Sequence, residues 1–170
     1  MKTWLAAHHE IALTGMGAQA FLALPMTAFF ASRQCPGIAI RAAMDWALQQ
    51  AKARNVVVEG FHSPLEQSVL KVLIAASSPA VVVLARPVQG AKLPAEWHVA
   101  LEKGHLAVVS GVMAVADRLT QQLAIQRNEL VAKLSERIVV AHASPGGSLA
   151  TQLECWRQEG QAVQVLGNPG

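Results

Sequence analysis

The chain has 170 residues, of which 52% are hydrophobic and 15% are charged, and its formal net charge is +3. This composition excludes a disordered chain and suffices for one domain with a hydrophobic core. The small basic excess forms no polybasic run, so charge alone does not predict nonspecific adhesion to nucleic acid.

Residues 3–23 are predicted as one or two short helices, which form an N-terminal extension (residues 1–25) packed on a main domain (residues 26–170). The predicted strands of the main domain are continuous apolar runs, typical of strands covered on both faces. They occupy residues 27–31, 55–59, 80–84, 106–110, 137–141 and 161–166. The predicted helices lie between them, at residues 37–53, 64–76, 95–103, 112–135 and 149–159.

The alternation of strands and helices predicts an α/β protein with a three-layer Rossmann-like fold and a mostly parallel sheet of about six strands. Because helices return the chain between parallel strands, the carboxyl ends of those strands meet at one edge of the sheet. Open sheets of this type bind their ligands at that edge.

The turn after the first predicted strand, residues 32–37, is a candidate anion-binding site. Ser32 and Gly37 belong to a strand–turn–helix unit whose helix start would present free N–H groups to an anion. Arg33 would add a two-pronged donor for phosphate. The alternative is an ordinary connection between a strand and a helix that binds nothing.

Further polar residues are expected at the same edge. Gly146, Gly147 and Ser148 form a second candidate phosphate turn, since consecutive glycines let the backbone approach an anion closely. Glu66 is assigned to a capping box with Ser63. No acidic residue that precedes Glu66 in the sequence is expected at this edge. The edge would therefore suit phosphate or a nucleic-acid backbone, with these additional candidates: His62, Ser63, Arg86 and His142. The two histidines could also act as a general base.

The motifs of common enzymes are absent, including Walker, GxGxxG, GxSxG and HExxH patterns. His8 and His9 are adjacent and would face different sides of a helix, and His98 and His105 have no Cys or acidic companions. We therefore expect no metal and no cofactor, and a binding protein rather than an enzyme.

The two cysteines, Cys35 and Cys155, lie far apart, which indicates a reducing compartment. Cys35 follows Arg33 near a helix start, where its thiolate would be favoured, but the favoured interpretation is a structural cysteine in the Cys-Pro-Gly turn. The apolar stretches are too short or too interrupted to span a membrane, and residues 8–10 interrupt the apolar run of the N-terminus. We expect a cytoplasmic protein that does not interact with a membrane.

Several segments together resemble the DNA-processing protein A (DprA/Smf) family, in a compact, stand-alone form. The resemblance covers about residues 20–170 and rests on Ser32-Arg33, Cys35-Pro36-Gly37, Gly60-Phe61-His62-Ser63-Pro64-Leu65-Glu66, Pro94-Ala95-Glu96-Trp97, Arg127-Asn128, Ala141-His142-Ala143-Ser144-Pro145-Gly146-Gly147-Ser148-Leu149 and Val165-Leu166-Gly167-Asn168-Pro169-Gly170. The family's usual Gly-Ile-Asp turn after the second strand is replaced here by Gly60-Phe61-His62-Ser63.

The resemblance implies a Rossmann-like domain that binds single-stranded DNA as a homodimer. It further implies protection of incoming DNA in natural transformation and help in loading a RecA-type recombinase during DNA recombination. The positions that match the family's phosphate and nucleic-acid-binding residues are Ser32, Arg33, Arg127, Asn128, Gly146, Gly147 and Ser148.

Two alternatives remain open. The LOG-type phosphoribohydrolases share this fold and use a Pro-Gly-Gly-x-Gly-Thr turn followed by a catalytic Glu. Here the turn reads Pro145-Gly-Gly-Ser-Leu-Ala-Thr151, and Glu154 is the candidate acid, out of register with the LOG pattern. The other alternative is a sensor of small nucleotides without chemistry.

Overall fold

A computed structural model of the protein describes residues 1–112 and 120–167. Its strands are β1 (Thr3–His8), β2 (Ile11–Gly17), β3 (Met26–Phe30), β4 (Val56–Glu59), β5 (Ala80–Leu84), β6 (Leu106–Ser110), β7 (Arg137–Val140) and β8 (Val163–Val165). Its helices are α1 (Gly37–Ala53), α2 (Pro64–Ala75), α3 (Ala95–Glu102), α4 (Thr120–Leu134) and α5 (Ser148–Gln158), with a short 3-10 helix at Gln19–Ala23. The sequence-based helix over residues 112–135 corresponds to α4, and residues 113–119 lie outside the described part.

The described strands form one sheet in the order β1-β2-β6-β5-β4-β3-β7-β8. Strands β3 to β8 are mutually parallel, and they correspond to the six strands predicted from the sequence. The α/β fold with a mostly parallel sheet is therefore confirmed. The chain runs from β3 toward β6 on one side and then returns to place β7 on the other side of β3. This reversal creates a topological switch point between β3 and β7, where such sheets bind ligands.

Helices cover both faces of the sheet. Because successive strand residues point to opposite faces, neighbouring residues of one strand pack against different helical layers. Phe29 faces the layer of α1, α2 and α3, and its ring stacks on Trp46 at a centroid distance of 5.0 Å. Phe30 faces the layer of α4 and α5 and packs on Trp156 at 4.9 Å. Every residue of β3 to β6 is buried, which explains their continuous apolar sequences.

The prediction of helices over residues 3–23 is wrong for most of that segment. Residues 3–8 and 11–17 form an antiparallel hairpin, β1 with β2, and only residues 19–23 are helical, as a 3-10 turn. Strand β2 also pairs antiparallel with β6, so the hairpin extends the central sheet. Its two turn residues, His9 and Glu10, have positive φ angles of 47° and 68°. The division of the chain at residue 25 stays a prediction.

Among the described residues, no helix combines the length and the apolar character that crossing a bilayer requires.

Candidate functional site

The two predicted anion-binding turns meet at the switch point between β3 and β7. The backbone N–H of Ser32 donates to the carbonyl oxygen of His142 at 2.9 Å. The hydroxyl oxygen of Ser32 accepts a hydrogen bond from the backbone N–H of Ser144 at 2.8 Å. We call residues 32–37 and 142–148 the switch-point turns. They are distant in sequence but joined by these two hydrogen bonds.

The second of these turns has the conformation that its glycines predict. Gly146 has a φ of +77°, a left-handed conformation that residues with a side chain rarely adopt. The N–H of Gly147 donates to Ser144 O at 3.1 Å and closes the turn. No side chain caps the start of α5, so its first N–H groups can bind an anion. Ser148, the first residue of α5, is exposed there.

The first switch-point turn presents Arg33 and leads into α1. Arg33 is exposed, and its guanidinium has no hydrogen-bond partner among the described residues. Gly37 begins α1, whose N-terminus also lacks a side-chain cap.

The thiol of Cys35 donates to Ser32 O at 3.3 Å. Burial raises the pKa of this thiol, and the charge of Glu66 raises it further, which disfavours the thiolate.

Glu66 holds the backbone of two successive loops at this edge. Its Oε2 accepts the N–H of Ala31 at 3.1 Å, and its Oε1 accepts the N–H groups of His62 and Ser63 at 3.0 and 2.9 Å. The N–H of Glu66 donates in turn to the hydroxyl oxygen of Ser63 at 3.4 Å. The predicted capping box is therefore confirmed. Ser63 is buried and its hydroxyl oxygen serves the helix cap.

A second carboxyl group lies behind the edge, which the sequence analysis did not foresee. Glu59 ends β4 and is fully buried, and neither of its carboxyl oxygens has a hydrogen-bond partner among the described residues. Burial raises the pKa of Glu59 well above its usual range, the charge of Glu66 raises it further, and the charge of Arg127 opposes the shift. The expectation that no acidic residue precedes Glu66 at this edge is thus wrong, although Glu59 contributes no exposed charge.

Arg127 of α4 lies directly over Gly60, at the end of β4. A Cβ atom on Gly60 would come within 2.4 Å of the Arg127 Nε, so only glycine leaves room for this guanidinium. Its Nη2 donates to Asn128 Oδ1 at 3.3 Å, whereas its buried Nε has no partner among the described residues. Burial lowers the pKa of Arg127, and the charges of Glu66 and Glu59 oppose that shift.

Asn128 has a different environment, between α4 and α5. Its side-chain N–H donates to Gln152 Oε1 at 3.1 Å, and Gln152 in turn donates to Ile125 O and Glu129 Oε1. Asn128 therefore takes part in the contact between two helices.

A cleft of about 640 Å³ opens beside Arg127, between the ends of β4 and β5, helices α2 and α4, and the start of α3. We call it the edge cleft. Three of the predicted site residues line it: His62, Arg86 and Arg127. Residues outside the predicted set also line it, among them Lys71, Lys92 and Trp97. The guanidinium of Arg86 donates to Lys92 O at 3.1 Å, which folds the loop after β5 back over the cleft.

The predicted site residues thus fall into three groups. The switch-point turns contain Ser32, Arg33, Gly37, His142, Gly146, Gly147 and Ser148, and the edge cleft contains His62, Arg86 and Arg127. Ser63 and Asn128 are engaged in a helix cap and a helix contact. Glu154, the candidate acid of the hydrolase alternative, is exposed on α5. The described residues contain no group of His, Cys, Asp or Glu side chains that could hold a metal ion.

Comparison with known proteins gives a family match over nearly the whole chain. The model of the family described as DNA recombination-mediator protein A matches residues 4–169. No curated protein matches the sequence.

The fold resembles several solved structures at low sequence identity, which shows likeness of fold alone. DNA processing protein A from Helicobacter pylori, whose structure is described in terms of its single-stranded DNA binding mode, has a TM-score of 0.77 and 14% identity; the match covers 96% of this chain and 79% of that one. DNA processing protein A from Streptococcus pneumoniae has a TM-score of 0.73 and 18% identity, over 91% of this chain and 54% of that one. A molybdenum cofactor carrier protein from Chlamydomonas reinhardtii has a TM-score of 0.55 and 13% identity, over 83% of this chain and 75% of that one.

Proposed function

Since the chain belongs to the DNA recombination-mediator protein A family, we propose that it binds single-stranded DNA at the carboxyl edge of its parallel sheet. The observation that carries the proposal is the junction of the switch-point turns, where the N–H of Ser144 donates to the Ser32 hydroxyl oxygen. Arg33 directly follows Ser32, and the open start of α5 belongs to the same turn as Ser144. Fixed N–H groups and a guanidinium are the donors that bind phosphate groups of any sequence.

The edge cleft adds cationic side chains to the same edge. Lys71, Arg86, Lys92 and Arg127 line it, and Glu96 is the one acidic residue among the described residues of its lining. The carboxyl groups of Glu59 and Glu66, at the end of β4 and the start of α2, are buried. A strand that runs along the edge would therefore meet positive charge and hydrogen-bond donors. The structure described for the relative from Helicobacter pylori, which concerns single-stranded DNA binding, supports the same assignment.

Fluorescence anisotropy with a labelled oligothymidylate tests the proposal. We expect Arg33→Ala to weaken binding and to reduce the slope of log K against log salt by about one, because one phosphate contact is lost. Arg157→Ala is the matched control, since Arg157 is an exposed arginine in the last turn of α5, toward the opposite edge of the sheet. Salt-independent binding, or equal affinities for the two variants, would contradict the proposal.

We also propose that the protein acts as a homodimer in DNA uptake or recombination, together with a RecA-type recombinase. Membership of the family supports this assignment. Sedimentation of the protein with and without DNA measures the dimer, and a strand-exchange reaction with a RecA-type recombinase measures the mediator activity. A monomer at every concentration, with no effect on strand exchange, would argue against it.

A further inference from the structure

We propose that the outward face of α1 binds the same face of a second copy of this chain, with the two helices antiparallel. Four exposed residues form this face, which we call the α1 face: Ile38, Arg41, Asp45 and Leu48. The inference deepens the homodimer of the proposed function and rests on it, since it names the surface through which the two copies meet.

The α1 face is a straight stripe along the solvent side of the helix. The opposite side of α1 packs on the core through Ala39, Ala43, Trp46 and Ala47. The four residues of the α1 face follow one another at spacings of three, four and three positions. This is the spacing of the contact line between two helices in a coiled coil. The stripe therefore has the geometry that a second helix can pack against.

The two ends of the stripe are aliphatic and open to solvent. Ile38 is 71% exposed and Leu48 is 59% exposed, where a solvated helix face ordinarily carries polar side chains. Removal of aliphatic surface from water is the main favourable contribution to most protein association. Ile38 and Leu48 would therefore supply the affinity of a contact on this face.

The order of residues along the stripe is self-complementary. Ile38 and Leu48 each lie five positions from Ala43, and Arg41 and Asp45 each lie two positions from it. A two-fold axis at the level of Ala43 would place Ile38 of one copy opposite Leu48 of the other, and Arg41 opposite Asp45. Each of these contacts occurs twice, as a two-fold interface requires.

The charges determine the direction of the pairing. Neither Arg41 nor Asp45 forms an ion pair with another described residue. In a parallel pair each of these charges would face its own copy, and facing like charges repel, whereas the antiparallel pair joins opposite charges. Charged residues in the contact line fix register and orientation at some cost in affinity.

The size of the contact predicts a reversible dimer. A contact between two single helices is smaller than the roughly 1,600 Å² that stable complexes bury. We therefore expect a dissociation constant of roughly 1–100 µM. The described lining of the edge cleft contains no residue of α1, so the pairing leaves that cleft open.

Sedimentation equilibrium of the full chain and its charge-reversed variants tests the α1 face. We expect Arg41→Asp and Asp45→Arg each to weaken dimerisation at least about tenfold, because like charges then face each other in both contacts. An equimolar mixture of the two variants should dimerise again, since every contact in the mixed dimer joins opposite charges. This recovery also shows that both variants are folded. Arg157→Asp is the control, because Arg157 is an exposed arginine of α5, on the other side of the sheet.

Two results would overturn the α1 face. The first is a dimer that persists unchanged in Arg41→Asp and Asp45→Arg, which would leave the proposed homodimer in place on another surface. The second is a mixture of the two variants that dimerises no better than either variant alone. If the wild-type chain is monomeric at every concentration, the homodimer is wrong and the α1 face with it, whereas DNA binding is decided separately by Arg33→Ala.

Discussion

Ser32 and Ser144 are 112 positions apart in sequence, yet the hydroxyl oxygen of Ser32 accepts the backbone N–H of Ser144 at 2.8 Å. The contact spans the switch point, where β3 and β7 are neighbours. It fixes the distance between the two turns that we propose as the phosphate-binding surface. A small hydroxyl side chain thus contributes to the site by holding its shape, whether or not it touches the ligand.

Replacement of Ser32 by alanine should loosen this junction. We expect Ser32→Ala to lower the free energy of unfolding by about 1–2 kcal/mol, because the N–H of Ser144 loses its acceptor in a half-buried position. Urea denaturation measures the loss. Ser68→Ala is the control, since the Ser68 hydroxyl only donates to Pro64 O within α2. Equal stabilities of the two variants would show that the contact across the switch point contributes nothing.

A side chain at Gly60 should disturb Arg127. In Gly60→Ala the new Cβ would lie 2.4 Å from Nε and 2.7 Å from Cδ of Arg127, so the guanidinium must move. We expect a loss of about 1–3 kcal/mol in the free energy of unfolding, as for other overpacked sites.

Gly37→Ala is the matched control for this glycine, because a Cβ there has no neighbour within 4 Å. At the first position of α1 we expect it to leave stability unchanged or slightly raised. Denaturation of both variants in parallel measures the difference. Equal stability of Gly60→Ala and wild type would mean that Arg127 can leave its position over Gly60 at no cost.

The buried carboxyl of Glu59 should make stability depend on pH. Its pKa in the folded protein is raised, mainly by burial and then by Glu66, with Arg127 opposing. Between the unfolded pKa, about 4.3, and this raised value, the unfolded chain releases a proton that the folded chain keeps. The contribution of Glu59 is therefore complete below the unfolded pKa and declines as pH rises through the folded pKa.

Glu59→Gln removes this titration while it keeps the shape of the side chain. We expect the melting temperature of the variant to exceed that of wild type near neutral pH, and the difference to shrink toward pH 4. Thermal melts across this range measure it, with Glu154→Gln on the exposed surface of α5 as the control. A variant that is less stable than wild type at pH 8 would show instead that Glu59 is ionised and stabilised by Arg127.

The parts of the fold that the sequence predicts well are those with local signals. Strands β3 to β8 are short, mostly β-branched or aromatic runs between helical segments, and such runs indicate buried parallel strands. The capping box of Ser63 and Glu66 is also local, since its partners are three residues apart. The two switch-point turns could be expected to meet because parallel strands end at one edge.

The hairpin β1–β2 was not predictable in this way. Its strands contain Ala and Leu, which also favour helices, and its turn consists of His9 and Glu10 with positive φ angles. The usual signal for such a turn is Asn-Gly or Asp-Gly. Here pairing of β2 with β6 overrides the local preference, and that pairing is not visible in the sequence of the hairpin itself.

The edge cleft was missed for a different reason. Lys71 lies on α2, and Lys92 and Trp97 follow a loop that folds back toward it. Their proximity depends on the course of that loop, which no periodicity reports. Glu59 ends an apolar run, so the sequence indicates only a strand there, whereas its lack of a hydrogen-bond partner among the described residues is a property of the packed structure.

The two oxygens of Glu66 bind different loops, Oε2 the loop after β3 and Oε1 the loop after β4. A carboxylate is rigid, so a displacement of one loop pulls on the other through a single side chain. The loop after β3 carries Arg33, and the loop after β4 carries His62 at the edge cleft. Removal of the Glu66 carboxyl would therefore release both loops at once, and the backbone on either side of the end of β4 would lose its fixed position.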